Sequence, residues 1–275
     1  MKAYIKAECF RIIRRPGTWK ILLFLCVLTT PLMLWFPMVS SFYSDWPVSA
    51  MPPVFAGMLF GIAPYWIPLF TKSCITDEYK FHTFKNTLTS KLSRKEVYIA
   101  KLIISIVLTL GTYLAILFIF LAIGHLFCGI SADSLFFQAY AGLVGQMISS
   151  IPVFIGAVCV SGLFSCLFTH FIPSIICYLS FLVLPYPLLQ FLHFLTGAEW
   201  LKELYYLSLI TPFHKVLLNQ PVEIEGLTEA IQTHSDGFFT LITPEIFAYC
   251  LLLGTVYTLV AVLVGLYIFK RKDIR

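Results

Sequence analysis

Apolar residues gather into six long runs, Ile21–Val39, Val54–Phe70, Ile103–Phe127, Gly145–Phe168, Ile172–Leu195 and Ile246–Phe269, separated by shorter polar stretches. A helix rises about 1.5 Å per residue, so roughly 20 residues cross the ~30 Å hydrocarbon layer of a bilayer, and each run is predicted to be a span. The second run carries Pro64 and Pro68, each of which lacks a backbone donor and crowds the preceding turn, so it is not expected to be a regular helix throughout. The fifth carries Pro173, Pro185 and Pro187, and the Pro-Tyr-Pro in its outer half predicts a break. The predicted fold class is all-α: one transmembrane domain over residues 1–275 with six transmembrane helices.

The polar stretches are patterned too. In Met1–Arg15, Ile5, Cys9, Ile12 and Ile13 share one helical face and Glu8, Arg11, Arg14 and Arg15 the other. That predicts an interfacial amphipathic helix over residues 1–17, ended by Pro16-Gly17, or a basic arm that only fixes topology. Within Lys72–Lys101, the residues Ile75, Tyr79, Phe81, Phe84 and Leu88 recur at roughly helical spacing and predict a short amphipathic helix. Ser93-Arg94-Lys95-Glu96 matches the Ser-x-x-Glu capping box, so a new helix is expected to start at Ser93 and run through Lys101 into the third span. A solvated loop with a basic lip is the plain alternative for this stretch. Between Thr196 and Pro244 lies the longest polar segment. Its first part, with Trp200, Leu201, Leu204, Tyr205, Leu207 and Leu209, is amphipathic and aromatic and is expected to dip back into the outer leaflet. The remainder, with Glu223, Glu225, Glu229 and Asp236, is acidic and would attract a cationic peptide, or is simply solvated. Gly142, Gly145, Gly156 and Gly162 of the fourth run allow close helix packing.

Composition confirms the class: 59% of residues are hydrophobic and 12% charged, against about 25% charged in soluble domains. The distribution of charge then orients the chain. Seventeen of the 19 Lys and Arg fall in the N-terminal arm, the 72–101 stretch and the C-terminal tail, which an even span count places on one side. By the positive-inside bias that side is the cytoplasm, and both termini lie there. The basic arm ahead of the first run is not the layout of a cleavable signal peptide, so that run is expected to remain as an anchor. The eight cysteines lack CxxC spacing, and only Cys128 is expected near the outer surface, so no disulfide is anticipated there.

Several functions lose their chemistry. No Asp, Glu, Lys or Arg lies in the core of a run, which disfavours ion-coupled carriers and charged-filter channels. His125, His170 and His193 do not cluster, and there is no GxSxG motif, so no metal centre or hydrolase is expected. There is no G-x-x-x-x-G-K-[ST] loop either; energy from ATP would come from a separate chain. Nothing points to nucleic acid.

The basic N-terminal helix, six spans with both ends inside, and the pattern Glu78, Thr83-Phe84-Lys85-Asn86-Thr87-Leu88, Ser93-Arg94-Lys95 and Lys101 resemble the membrane subunits of ABC-2 type transporters. So do Tyr206–Phe213 and the terminal Phe269–Ile274; the family's usual Gly-Thr is here His82-Thr83. The resemblance implies an ABC-2, type V exporter-like fold and a coupling helix that sits in a cleft of a cytoplasmic ATPase. Glu78, Tyr79, Phe81, Thr83, Phe84, Lys85, Thr87 and Leu88 would inherit that role. It implies no cofactor on this chain, with ATP and magnesium on a partner ATPase dimer, and a second permease subunit, identical or related, in a bacterial cytoplasmic membrane. Within the family the chain is most similar to small permeases of bacteriocin or lantibiotic immunity and export. Pro64, Pro68, Pro185 and Pro187 are expected to shape an apolar route for a hydrophobic or amphipathic substrate. The contrasting expectation is a non-transporting scaffold or sensor whose basic inner loop docks a cytoplasmic partner or anionic lipid.

Overall fold

The computed structural model describes residues 2–40, 49, 51–80, 93–130, 134–168, 170–213 and 244–271, and among these the regular elements are all helical, with no strand. Helix α1 spans Lys2–Ile13 and α2 spans Pro16–Ser40. The turn between them is stitched by side chains. A helix end leaves carbonyls unpaired. Thr18 Oγ1 donates to the carbonyl of Ile12 at 2.9 Å and Trp19 Nε1–H to that of Ile13 at 2.7 Å. Pro16 opens α2, a position where its missing N–H costs nothing.

The second apolar run is broken, as its prolines predict. α3 (Met51–Ile62) passes into a 3-10 turn at Ala63–Trp66, then α4 (Ile67–Thr71), a π turn at Lys72–Thr76 and α5 (Asp77–Lys80). Pro68 cannot give the bond that a regular helix would make to the carbonyl of Pro64. The Tyr178 hydroxyl, from another helix, supplies it at 3.0 Å. Thr71 Oγ1 meets Ser161 Oγ at 2.8 Å, tying the same break to a second neighbour.

The path from Lys72 to Lys80 is helical, at the start of the stretch where the sequence predicts a short amphipathic helix. Ser73, Cys74, Ile75, Thr76 and Glu78 are all buried, so the chain stays within the bundle about two turns longer than its hydropathy implies. The rest of the predicted amphipathic helix, 81–92, lies outside the described residues.

α6 (Arg94–Cys128) begins where the capping box predicts: Ser93 N–H donates to the Glu96 carboxylate at 2.8 Å and Glu96 N–H to Ser93 Oγ at 3.3 Å. It ends at Gly129, whose φ of +74° suits a residue without Cβ. α7 (Ser134–Leu167) leads through a short turn to α8 (Phe171–Val183) and α9 (Pro185–Thr196), which are bent by 46° at the Pro185 break. α10 (Trp200–Tyr206) and α11 (Pro244–Arg271) complete the described chain. Among the described residues, three helices are fit by length and composition to cross a membrane, α6, α7 from Phe136 and α11, or four if the bent α8–α9 pair is one span.

The centre is the crossing of α7 and α11. A Cβ on Gly254 would sit 2.3 Å from the backbone carbon of Pro152, and one on Gly156 would sit 3.0 Å from the Gly254 carbonyl oxygen. The two backbones therefore touch, which small residues permit and which substitutes for the hydrophobic drive that lipid does not supply. At the far end from Lys101, residues 200–213 pack into this core: Leu201, Leu209, Ile210 and Phe213 are buried, and Phe213 stands edge-on to Phe154 at 5.2 Å. Tyr257 donates its hydroxyl to the Leu207 carbonyl at 2.9 Å, and Tyr249 donates to that of Tyr206. The amphipathic pattern of this segment thus serves packing against α7 and α11.

Candidate functional site

Four charged side chains from three elements meet where α5 leaves the bundle. Lys101, two turns into α6, has a side chain only 3% exposed, yet it is the sole Asp, Glu, Lys or Arg between Val97 and Cys128. A cation there is stable only with partners. Its Nζ lies 2.6 Å from Glu78 Oε1 on α5 and 3.2 Å from Glu8 Oε1 on α1. Arg11 closes the ring, with Nε 2.7 Å from Glu8 Oε2 and an Nη2 donating to Glu78. Tyr4 adds a hydroxyl bond to Glu8 at 3.1 Å. Beside this quartet, Arg15 pairs with Asp77 at 2.9 Å and reaches the Ser73 carbonyl at 3.4 Å. Helix α1 is thus fastened to α5 at two points, and both α1 and α5 to α6.

The quartet is neutral in sum but uneven. Burial pushes the Glu8 carboxyl up, but the facing Lys101 and Arg11 outweigh it and hold the group below the ordinary carboxylate value. For Glu78 burial prevails over Lys101, and its carboxyl is raised. Its Oε2 has no hydrogen-bond partner among the described residues although it is buried. Glu78 is accordingly the member of the group that takes a proton most readily.

This geometry corrects the sequence reading of α1. Glu8 faces inward, 6% exposed, beside Ile12, while Ile13 is more than half exposed. Ile5, Cys9 and Ile12 do face the core, and ion pairing brings Glu8 onto that same face while Ile13 turns outward.

Of the expected coupling residues, Glu78 is buried in the quartet, and Tyr79 lies on the α5 backbone. Phe81, Thr83, Phe84, Lys85, Thr87 and Leu88 lie outside the described residues. The four prolines do not share one lining. Pro64 and Pro68 are packed in the core, Pro185 is half-buried at the α8–α9 bend, and Pro187 is exposed. Glu8, Arg11 and Lys101 were missed as site residues. Their available signal was Lys101 itself, a lone charge in the apolar run from Val97 to Cys128. At the same end, Arg94 donates to the Lys270 carbonyl at 3.3 Å and Tyr98 packs on Phe269 at 5.6 Å, so the end of α11 joins the base of α6. Among the described residues no group of three His, Cys, Asp or Glu is placed to hold a metal ion.

Among the described residues, a helical bundle with several membrane-length helices and a buried charge junction is that of a multi-pass membrane protein. A family model described as ABC-2 family transporter protein matches residues 4–185, about two thirds of the chain. The chain belongs to the ABC-2 transporter family, a family of membrane transport components. The matched region contains every residue of the junction and both proline breaks. A search of curated proteins gives no match.

Proposed function

We propose that this chain is the permease subunit of an ATP-driven exporter. It has six spans with both termini in the cytoplasm, and it pairs with a second permease and a cytoplasmic ATPase dimer that carries the ATP and magnesium. The proposal extends family membership with one observation: the root of the 81–92 segment is held by the Glu8–Arg11–Glu78–Lys101 quartet, which links it to α1 and α6. In this reading the ATPase engages residues 81–92, and Glu78 transmits the motion from inside the bundle without touching the ATPase. The cargo is hydrophobic or amphipathic, a peptide of the bacteriocin or lantibiotic kind or a lipid-like molecule in a bacterial cytoplasmic membrane. Such cargo needs no buried charge for recognition, in keeping with spans free of ionised groups between Leu102 and Cys128.

The test is purification of the chain from its native membrane in mild detergent, with co-purifying proteins identified and ATPase activity assayed. A stoichiometric nucleotide-hydrolysing partner, retained by the wild type and lost when Phe84 is replaced by Asp, is the expected result. Recovery of the chain without any such partner, under conditions that keep other membrane complexes intact, would refute the proposal. A second readout separates engagement from transmission: Glu78→Gln should keep the partner bound while lowering its cargo-stimulated hydrolysis.

A further inference from the structure

The inward side of α1 is spent on the junction, with Glu8 and Ile12 buried and Arg11 and Arg15 paired to acids. Its outward side has a different composition. Phe10, Ile13 and Trp19 are 56%, 54% and 57% exposed. Lys6, Arg14 and Lys20 are exposed around them, and Arg14 lies over the Phe10 ring at 4.1 Å. Among the described residues none of these three cations has an acid within ion-pair distance, and the single acid of α1, Glu8, points the other way. Apolar and aromatic groups flanked by unneutralised cations, at the point where α2 begins, form a surface suited to the boundary between headgroups and acyl chains. The complement of three such cations is negative charge.

We propose that the outward face of α1 and the first turn of α2 together form a binding surface for anionic phospholipid, with Phe10, Ile13 and Trp19 seated among the acyl chains and Lys6, Arg14 and Lys20 around a phosphatidylglycerol-type headgroup. The surface selects lipid by charge, and it does so on whichever leaflet α1 occupies. It therefore stands apart from the ATPase and export reading. Lipid bound there would press α1 against the bundle that the quartet already grips.

Trp19 is the reporter. The full chain is reconstituted in phosphatidylcholine vesicles containing increasing fractions of brominated phosphatidylglycerol or, in parallel, brominated phosphatidylcholine. The quenching of Trp19 is taken as the difference between wild type and Trp19→Phe. Brominated phosphatidylglycerol should half-quench Trp19 at a mole fraction at least several-fold lower at low ionic strength. The preference should collapse in about 0.5 M salt. The variant Lys6→Gln/Arg14→Gln/Lys20→Gln should give coincident curves for the two lipids. Superimposable curves for the wild type, or a preference that survives the triple substitution, would overturn the assignment. The lipid preference is read on protein that keeps all three cations, so a folding defect in the triple variant cannot mask the result.

Discussion

Replacing Lys101 by Met probes the junction most directly, because it removes the cation shared by both carboxylates while keeping an unbranched side chain of similar length. Nζ is 2.6 Å from Glu78 and 3.2 Å from Glu8, and the side chain is 3% exposed. Removing one partner from a buried ion pair costs about 3–5 kcal/mol. Here an escape route caps the cost. Glu78 can take up a proton, and protonating a carboxyl with an ordinary value of about 4.3 at pH 7 costs roughly 3.7 kcal/mol at ~1.36 kcal/mol per unit. The expected loss is therefore about 3 kcal/mol at pH 7. It should shrink by about 1.4 kcal/mol per unit as the pH is lowered toward 5, because the proton becomes cheaper to acquire. Adding Glu78→Gln removes the carboxylate that Lys101 left behind, while the Glu8–Arg11 pair stays intact. The double variant should be less destabilised than the two single losses combined, by about 1–3 kcal/mol. Equilibrium unfolding in mixed micelles, followed by tryptophan fluorescence at pH 7 and pH 5, measures all three. A Lys101→Met loss below about 0.5 kcal/mol, or strict additivity in the cycle, would refute the view that these four charges act as one unit.

Three further outcomes follow from the packing and electrostatics. Tyr178→Phe deletes the hydroxyl that satisfies the Pro64 carbonyl at 3.0 Å and should cost about 1–3 kcal/mol in the same unfolding assay, with the helical circular dichroism unchanged. Gly254→Ala forces a Cβ to 2.3 Å from the Pro152 backbone, which cannot step aside as a side chain end would; a loss of about 1–3 kcal/mol or more is expected, whereas Gly111→Ala, with nothing within 4 Å, should be stable or slightly stabilised. For pH, the raised Glu78 carboxyl contributes stability that is full below its unfolded value and lost as pH rises through its folded value, while the lowered Glu8 carboxyl contributes stability that is full above its unfolded value and lost as pH falls through its folded value. The wild type should therefore be most stable in mildly acid solution, and a thermal unfolding midpoint measured from pH 4 to pH 8 should show Glu78→Gln flattening the alkaline limb alone.

What the sequence makes legible is local. Ser93 and Glu96 are three residues apart and their reciprocal bonds follow from that spacing, so the start of α6 is readable. Pro64, Pro68 and Pro185 act on their own turns, so both breaks are readable as well. The junction is a different matter. Lys101 and Glu8 are 93 residues apart and Arg11 and Glu78 are 67 apart, and no periodicity within one helix reports a partner on another. A helical wheel assigns Glu8 to the wet side because it weighs the residue alone, whereas two facing cations make its burial favourable. The buried stretch Lys72–Glu78 is hidden for the same reason: Ser73, Thr76 and Glu78 lower the local hydropathy, yet the bundle receives them. Gly254 is likewise silent until Pro152 is seen beside it.

Apolar replacement of a buried ion pair is often neutral or stabilising, so the quartet is not required merely to hold three helices together. What charges add is directionality. Arg11 lies on α1 and Arg15 in the turn just past its end, and their partners Glu78 and Asp77 are adjacent on α5. A single ion pair would let α5 pivot about the contact; two pairs at different heights resist rotation as well as separation. Lys101 then references the same group to α6, which begins at a fixed cap immediately after the 81–92 segment. Both ends of that segment are in this way anchored to rigid helices, one through Glu78 and one through Ser93. Under the proposed function a displacement of residues 81–92 is therefore delivered to α1 and α6 together, since α6 cannot stay behind without opening the buried Lys101–Glu78 pair, nor α1 without opening the partly exposed Arg11–Glu78 pair.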